Sequence, residues 1–333
     1  MATVGRLKRI LIITDNTRDQ INGVVTTFKN IEKYAVEDGF ELVYLDPSQF
    51  KSIPAPFYPE VRLSFPIGIG EKIEALEPDH VHIATEGPIG LAAKLWLNKI
   101  DYEYNTSYHT KYPDFLRKIY GIPQSWSYRY LRWFHQHTGV VLTTTHTMVK
   151  ELKENGFRSK VIPWTRGVDR SIFFDRDIRS KQIALLYVGR VSKEKNLEAF
   201  CDIDIPNTTK IVVGSGPYLS HLKSKYPDVN FVGAKKPEEL AYYYSSADVF
   251  VFPSKADTFG IVMIESMACG TPVAAYPITG PIDVIDHNVT GFMHEDLSYA
   301  IKMCLRLKRS HVRTKSMKWS WQACWNIFRD SLK

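Results

Sequence analysis

The chain has 333 residues, 44% of them hydrophobic and 24% charged, with a formal net charge of +7. That length and balance suit two domains with packed cores and exclude a disordered chain. Four cysteines (Cys201, Cys269, Cys304, Cys324) without metal-type spacing, in stretches that read as core helix, point to a reducing compartment and a cytoplasmic protein.

In chain order, the first half alternates short apolar runs with helix-like runs. The sequence predicts strands at 9–14, 41–45, 80–85 and 140–145, and another within 102–110. No signal peptide is evident at the start, and the run Ile10–Ile13 is too short to cross a membrane. Between the strands, 22–39 reads as a helix ending at Gly39, and the runs starting at Gly87 and Thr147 read as further helices. The Pro- and Ser-rich stretch from Pro47 to Pro66 reads as loop. Residues 164–174 read as an interdomain link. The second half restarts with strands at 184–190, 209–217, 229–233, 248–253 and 271–276, each with its exit turn. Such alternation predicts two α/β domains, each a parallel sheet with helices on both faces.

The stretch from Pro253 to Pro272, PSKADTFGIVMIESMACGTP, carries the strongest chemistry. Asp257 and Glu265 lie eight positions apart, and the run Gly260–Ala268 reads as a helix. Its N-terminus would present the backbone N–H groups of Phe259, Gly260 and Ile261 as an anion site, with two carboxylates beside it for sugar or ribose hydroxyls. That combination suits a nucleotide sugar. Arg190 and Lys195 follow Gly189 after a strand, and two cations at one strand end can neutralise a diphosphate leaving group without a metal. Gly214-Ser215-Gly216-Pro217 forms a further glycine turn. Leu219 stands where a dinucleotide fingerprint would place glycine, which argues against a dehydrogenase. Asp175–Asp177 and Asp202–Asp204 match D-x-D but read as surface acids.

The segment resembles the E-x7-E signature of the retaining family-4 glycosyltransferases, with Asp257 in place of the usual first Glu. The elements YVGRVSKEKN, Gly214-x-Gly216-Pro217, QINGVVTTF, SYHTKYP, RYLRWFH and TRGVDRSIF are similar to the same family, nearest the branch of GDP-mannose-dependent α-mannosyltransferases and sulfoquinovosyl-diacylglycerol synthases. The resemblance implies a GT-B fold: two Rossmann-like parallel-sheet domains facing across a cleft, here an acceptor-side domain at 1–165 and a nucleotide-sugar domain at 166–310. It also implies a last helix, in 311–333, crossing back to the first domain. The implied donor-side residues are Gly23, Gly189, Gly214, Gly216, Phe259, Gly260, Ile261 and Glu265; the implied catalytic residues are Asp257 and His109 at the sugar and Arg190 and Lys195 at the diphosphate. Asp15, Asp19 and Glu86, near strand ends of the first half, are candidate acceptor contacts. No cofactor or metal is expected beyond the nucleotide-sugar co-substrate. The sequence leaves UDP and GDP undistinguished.

Charge is unevenly placed. Residues 299–333 hold nine Lys and Arg against Asp330 alone, and 115–137 hold Arg117, Lys118, Arg129 and Arg132 with no acid. Trp126, Tyr130, Trp133 and Phe134 fall at helical spacing in the second stretch. A joint basic surface would suit anionic lipid at the inner face of a membrane, or DNA; solvated faces, and aromatics packed in the first domain, are the plain alternative. Four functions stay open: transfer to a membrane lipid; the same transfer to hydroxymethylated DNA, a polysaccharide or a protein; sugar-nucleotide epimerisation; and non-enzymatic nucleic-acid binding.

Overall fold

The computed structural model describes residues 6–20, 22–55, 58–255 and 257–333, and leaves out the side chains of 55, 58–61, 115 and 118–120. Lys118, one of the cations counted above, therefore has its side chain outside the described residues. The chain forms two compact units, one of residues 1–166 with 321–333 and the other of 167–320.

The first unit runs β1 (Lys8–Ile13), α1 (Gly23–Glu37), β2 (Phe40–Leu45), β3 (Lys51–Ala55), β4 (Tyr58–Phe65), α2 (Ile69–Ala75), β5 (His80–Ile83), α3 (Pro88–Lys99), β6 (Asn105–Tyr108), α4 (Tyr112–Tyr120), α5 (Gln124–His135), β7 (Val141–Thr143), α6 (His146–Glu154) and β8 (Val161–Pro163). Its main sheet is parallel, in the order β2-β1-β5-β6-β7-β8. Ile10–Ile13 are fully buried, as a central parallel strand covered on both faces requires. The order reverses between β1 and β5, so their C-terminal ends flank a crevice of the kind where open α/β sheets bind ligands.

The expected loop from Pro47 to Pro66 is instead largely a β3–β4 antiparallel hairpin. Proline counted against a strand, but a two-stranded ribbon has two free edges, and Pro54 and Pro59 can sit where no ladder N–H is needed. The basic–aromatic stretch is two helices, because Gly121 takes a left-handed conformation (φ 67°) and Pro123 precedes α5.

The second unit runs β9 (Ile183–Val188), α7 (Leu197–Cys201), β10 (Thr208–Val213), α8 (Leu219–Lys225), β11 (Asn230–Gly233), α9 (Pro237–Ser246), β12 (Val249–Phe252), α10 (Ile261–Ala268), β13 (Val273–Ala275), α11 (Pro281–Val284), β14 (Gly291–Met293), α12 (Leu297–Cys304) and α13 (Arg309–Lys315). Its parallel sheet has the order β11-β10-β9-β12-β13-β14, with the reversal between β9 and β12. One apolar layer, with Phe250, Met263, Met267 and Val273, packs α9 and α10 on one face; the other, with Leu185, Phe200, Leu222 and Ile301, packs α7, α8 and α12 on the opposite face.

The last helix, α14 (Trp321–Arg329), belongs to the first unit. Trp321, Cys324, Trp325 and Phe328 form its buried stripe. Phe328 stacks on Trp164 at 5.1 Å between centroids and meets Phe28 edge-on at 5.8 Å. Trp325 donates its indole N–H to Asp38 at 2.7 Å. The helix thus completes the core of a unit whose sheet ended about 160 residues earlier in the chain. Truncating Phe328 should therefore act as a core deletion: Phe328→Ala is expected to cost the first unit about 3–5 kcal/mol. Urea unfolding followed by tryptophan fluorescence checks this, and an unchanged midpoint would show that the helix is dispensable.

Candidate functional site

The site in the second unit follows from its strand order. Loops leaving β9 and β12 diverge from neighbouring strand ends at the point of reversal. The β9 loop carries Gly189, Arg190 and Lys195; the β12 loop carries Asp257, Phe259 and Gly260 and leads into α10. Lys195 Nζ donates to Asp257 Oδ2 at 2.8 Å, joining the two loops. Asn196, held left-handed at φ 56°, donates its side-chain amide to the Pro253 carbonyl at 3.0 Å and makes a second tie. Gly214 must be glycine, because a Cβ there would stand 1.9 Å from the Gly189 carbonyl oxygen. A Cβ on Gly216 would stand 2.3 Å from the Val191 carbonyl oxygen. Arg190 is exposed at the same edge.

Asp257 is clamped from three sides. Besides Lys195, its Oδ1 accepts the N–H groups of Thr258 at 2.9 Å and Phe259 at 3.3 Å. Burial acts to raise its pKa, but the Lys195 charge and these hydrogen bonds prevail and hold the carboxyl below its usual range. Burial acts to lower Lys195, but Asp257 prevails and its pKa is raised. The Phe259 N–H, expected to face a phosphate, is thus already engaged. Gly260 caps α10 with φ 79°, and the helix begins at Ile261. Glu265, on α10, is half-buried and accepts a hydrogen bond from the Tyr244 hydroxyl at 3.0 Å. Burial pushes its carboxyl up to about 7, against the lowering effect of that bond. Tyr187 lies in the field of Asp257, and Tyr244 in the fields of Glu265 and Tyr187. Sequence reasoning missed Tyr244, since one tyrosine of Tyr242-Tyr243-Tyr244 carries no signal until the helix turns it inward.

In the first unit the predicted residues are largely engaged with their own fold. Asp15, after β1, accepts from Thr85 Oγ1 at 2.7 Å and from the Ile89 N–H at 2.8 Å, so it caps α3. Burial raises its pKa. Glu86 is buried against His135 Nε2 at 3.2 Å. Asp19 is exposed on the loop before α1. Asn22 caps α1 by accepting from Val24 and Val25, which leaves Gly23 as its first residue.

His109 has both ring nitrogens occupied: Arg166 donates to Nδ1 at 2.9 Å, and Nε2 lies 2.8 Å from Ser107 Oγ. Arginine cannot accept, so the Nδ1 is bare and the Nε2 carries hydrogen. Burial, then Arg166, drives the His109 pKa well down, keeping it neutral. His109, placed by the sequence at the donor sugar, is held in this arrangement by Ser107 and by Arg166, whose approach the sequence did not show.

The basic surface is redistributed. Arg309 turns inward to the carbonyls of Ala247, Ser245 and Cys269, and Arg329 pairs with Asp38. Residues 299–320 and 321–333 fall in different units. On α5, Trp126, Tyr130 and Trp133 are exposed at 70%, 36% and 39% around Arg129. Phe134, on the same helix, is buried. Among the described residues, no helix is long and apolar enough to cross a membrane, and no three His, Cys, Asp or Glu side chains are placed to hold a metal ion.

The Lys195–Asp257 pair makes a pH prediction. Asp257 has a lowered pKa, so its contribution is present above the ordinary carboxylate range, near pH 4, and is lost as acid protonates it. Lys195 has a raised pKa, so its contribution persists until alkali exceeds the ordinary lysine range. Lys195→Met is expected to cost about 1–3 kcal/mol, because it leaves a half-buried carboxylate unpaired. That deficit should be flat between about pH 5 and 10 and shrink in acid. Urea unfolding of both proteins across this range checks it; a deficit that grows in acid would refute the pairing.

A profile described as Glycosyltransferase Family 4 matches residues 21–172, and one described as Glycosyl transferases group 1 matches 168–300. The chain is 26% identical to a sulfoquinovosyl transferase of Arabidopsis thaliana, over 93% of this chain and 70% of the relative. It is 25% identical to a GDP-mannose-dependent alpha-mannosyltransferase of Corynebacterium glutamicum, over 86% and 77%. It is 26% identical to an alpha-monoglucosyldiacylglycerol synthase of Streptococcus pneumoniae, over 80% and 71%. Among solved structures, a sucrose-phosphate synthase of Thermosynechococcus elongatus superposes with a TM-score of 0.78 at 19% identity, covering 97% of this chain and 98% of that one. The relatives fall in the branch to which the motif segments pointed. With two parallel sheets reversing at their centres and motifs matched in both, this chain belongs to the family-4 glycosyltransferases, enzymes of GT-B fold.

Proposed function

We propose that this enzyme is a retaining glycosyltransferase that moves a hexose or related sugar from a UDP- or GDP-linked donor to a hydroxyl of a membrane lipid. The observation that carries the reading is the cluster at the β9/β12 reversal: Lys195 on Asp257, Arg190 beside them, and α10, which starts after the same loop and carries Glu265.

In this reading the diphosphate lies against Arg190, Lys195 and the first N–H groups of α10. Glu265 accepts the ribose hydroxyls, and Asp257 faces the donor sugar. The acceptor oxygen attacks the anomeric carbon on the face from which the diphosphate leaves. The carbon–phosphate-oxygen bond breaks as the new glycosidic bond forms, and the acceptor proton passes to the departing phosphate. Arg190 and Lys195 supply the positive charge that a metal would otherwise bring. Trp126, Trp133 and Arg129 of α5 suit the headgroup level of a bilayer, where amphipathic rings and arginine settle. The diacylglycerol product in the name of the Streptococcus pneumoniae relative supports a lipid acceptor.

Purified protein incubated with UDP- and GDP-sugars should release nucleotide only with one donor and with anionic vesicles containing diacylglycerol. Lys195→Ala and Glu265→Ala should each lower kcat/KM at least about 100-fold. EDTA should leave the rate unchanged. Release with hydroxymethylated DNA in place of vesicles would move the acceptor to DNA. Donor turnover without any acceptor would indicate an epimerase or hydrolase. Full activity in both variants would refute the site.

A further inference from the structure

We propose that Tyr244 is a positioning residue of the donor site, whose hydroxyl holds the Glu265 carboxylate in the orientation that accepts ribose hydroxyls; this rests on the donor-binding reading above. Tyr244 sits on α9, fully buried, with its O–H donating to Glu265 Oε2 at 3.0 Å. The ring has no room to swing. Phe173 and Phe250 meet it edge-on at 6.1 and 5.7 Å, and Thr271 Oγ1 hydrogen-bonds its carbonyl oxygen. A glutamate on a helix otherwise has three rotatable side-chain bonds, and fixing its head costs conformational entropy when a ligand arrives. A buried phenol that grips one carboxylate oxygen settles that cost during folding, while the other oxygen keeps its lone pairs for a ligand.

The neighbours support a fixed, neutral donor. Glu265, Cys269 and Tyr187 are the titratable groups acting on Tyr244, and all of them disfavour its ionisation. Burial acts in the same direction, so the hydroxyl remains a donor throughout the range in which Glu265 titrates. Among the described residues the phenol donates to Glu265 alone, and the bond joins α9 to α10.

The test uses the full chain and isothermal titration at pH 8 with UDP and GDP, each beside its 2′,3′-dideoxy analogue. Wild type should bind one ribonucleotide more tightly than its dideoxy form, and Glu265→Ala should abolish that preference. Tyr244→Phe keeps the ring and its aromatic contacts. It should weaken the ribonucleotide about tenfold and leave the dideoxy analogue within about twofold. Glu265→Asp, one methylene shorter, draws the carboxylate back from the Tyr244 hydroxyl and should show the same selective loss; it serves as the second variant should Tyr244→Phe not fold. Equal weakening of both ligands by Tyr244→Phe would mark a merely structural role and overturn the proposal. So would unchanged discrimination in Tyr244→Phe or in Glu265→Asp. No preference in wild type, or one that survives Glu265→Ala, would instead overturn the role of Glu265 and this inference with it.

Discussion

The Lys195–Asp257 ion pair organises the candidate site, because it spans the point where the strand order of the second unit reverses. In a parallel sheet the loops on either side of a reversal leave in opposite directions and open a crevice. A charge on each loop then faces the other across it. The substitution of Asp for Glu at position 257 acquires a physical meaning here. The shorter side chain can bond the N–H groups of Thr258 and Phe259, its own following residues, which a glutamate reaches poorly. The loop entering α10 is thereby pinned by its own side chain as well as by Lys195. A diphosphate that draws Lys195 away must leave Asp257 still held by the backbone. The site therefore keeps its shape when its charges are redistributed.

The two units use the same topology to different ends. In the first unit, the carboxylates at the reversal between β1 and β5 are engaged with the fold: Asp15 caps α3 and Glu86 meets His135. The polar chain from Arg166 through His109 to Ser107, and on to His82 Nε2 at 3.0 Å, lies buried beneath that edge. His82 is pushed down to about 3 by burial and stays neutral. At that edge of the first unit the titratable groups are thus taken up by the fold itself. In the second unit, Arg190, Lys195 and Glu265 sit where a ligand can compete for them.

Most of this architecture was legible in the sequence, for identifiable reasons. The alternation of apolar runs and helices fixed two parallel sheets, and Gly189, Gly214 and Gly216 marked the turns where backbones touch. The boundaries of α1 could be read from Asn22 and Gly39, since both are local capping chemistry. What failed was long-range. Proline between 47 and 66 signalled loop, because nothing local reveals that a ribbon has two free edges. Arg309 counted as surface charge, because its carbonyl partners lie 40 to 64 positions away. His109 could be placed at a strand end, but its occupation by Arg166 depends on a contact 57 positions along the chain. Motif residues were found where spacing alone defines the chemistry, and their partners were missed where packing defines it.

Glu265 shows how such a missed partner changes the chemistry. Its carboxyl is pushed up to about 7 by burial, while the Asp257–Lys195 pair is fully ionised over the same range. Ribose hydroxyls donate to a carboxylate but compete poorly with its own proton, so a donor nucleotide prefers the ionised form. Nucleotide binding should then release a proton from Glu265, and affinity should rise from about pH 6 to 8 and level above. The terminal phosphate of a nucleoside diphosphate also titrates near this range, so wild type alone does not isolate the effect. The difference between wild type and Glu265→Ala does, because the phosphate contributes equally to both. If that difference in binding free energy is independent of pH, the carboxyl is already ionised in the free enzyme. The hydrogen bond from Tyr244 would then outweigh burial.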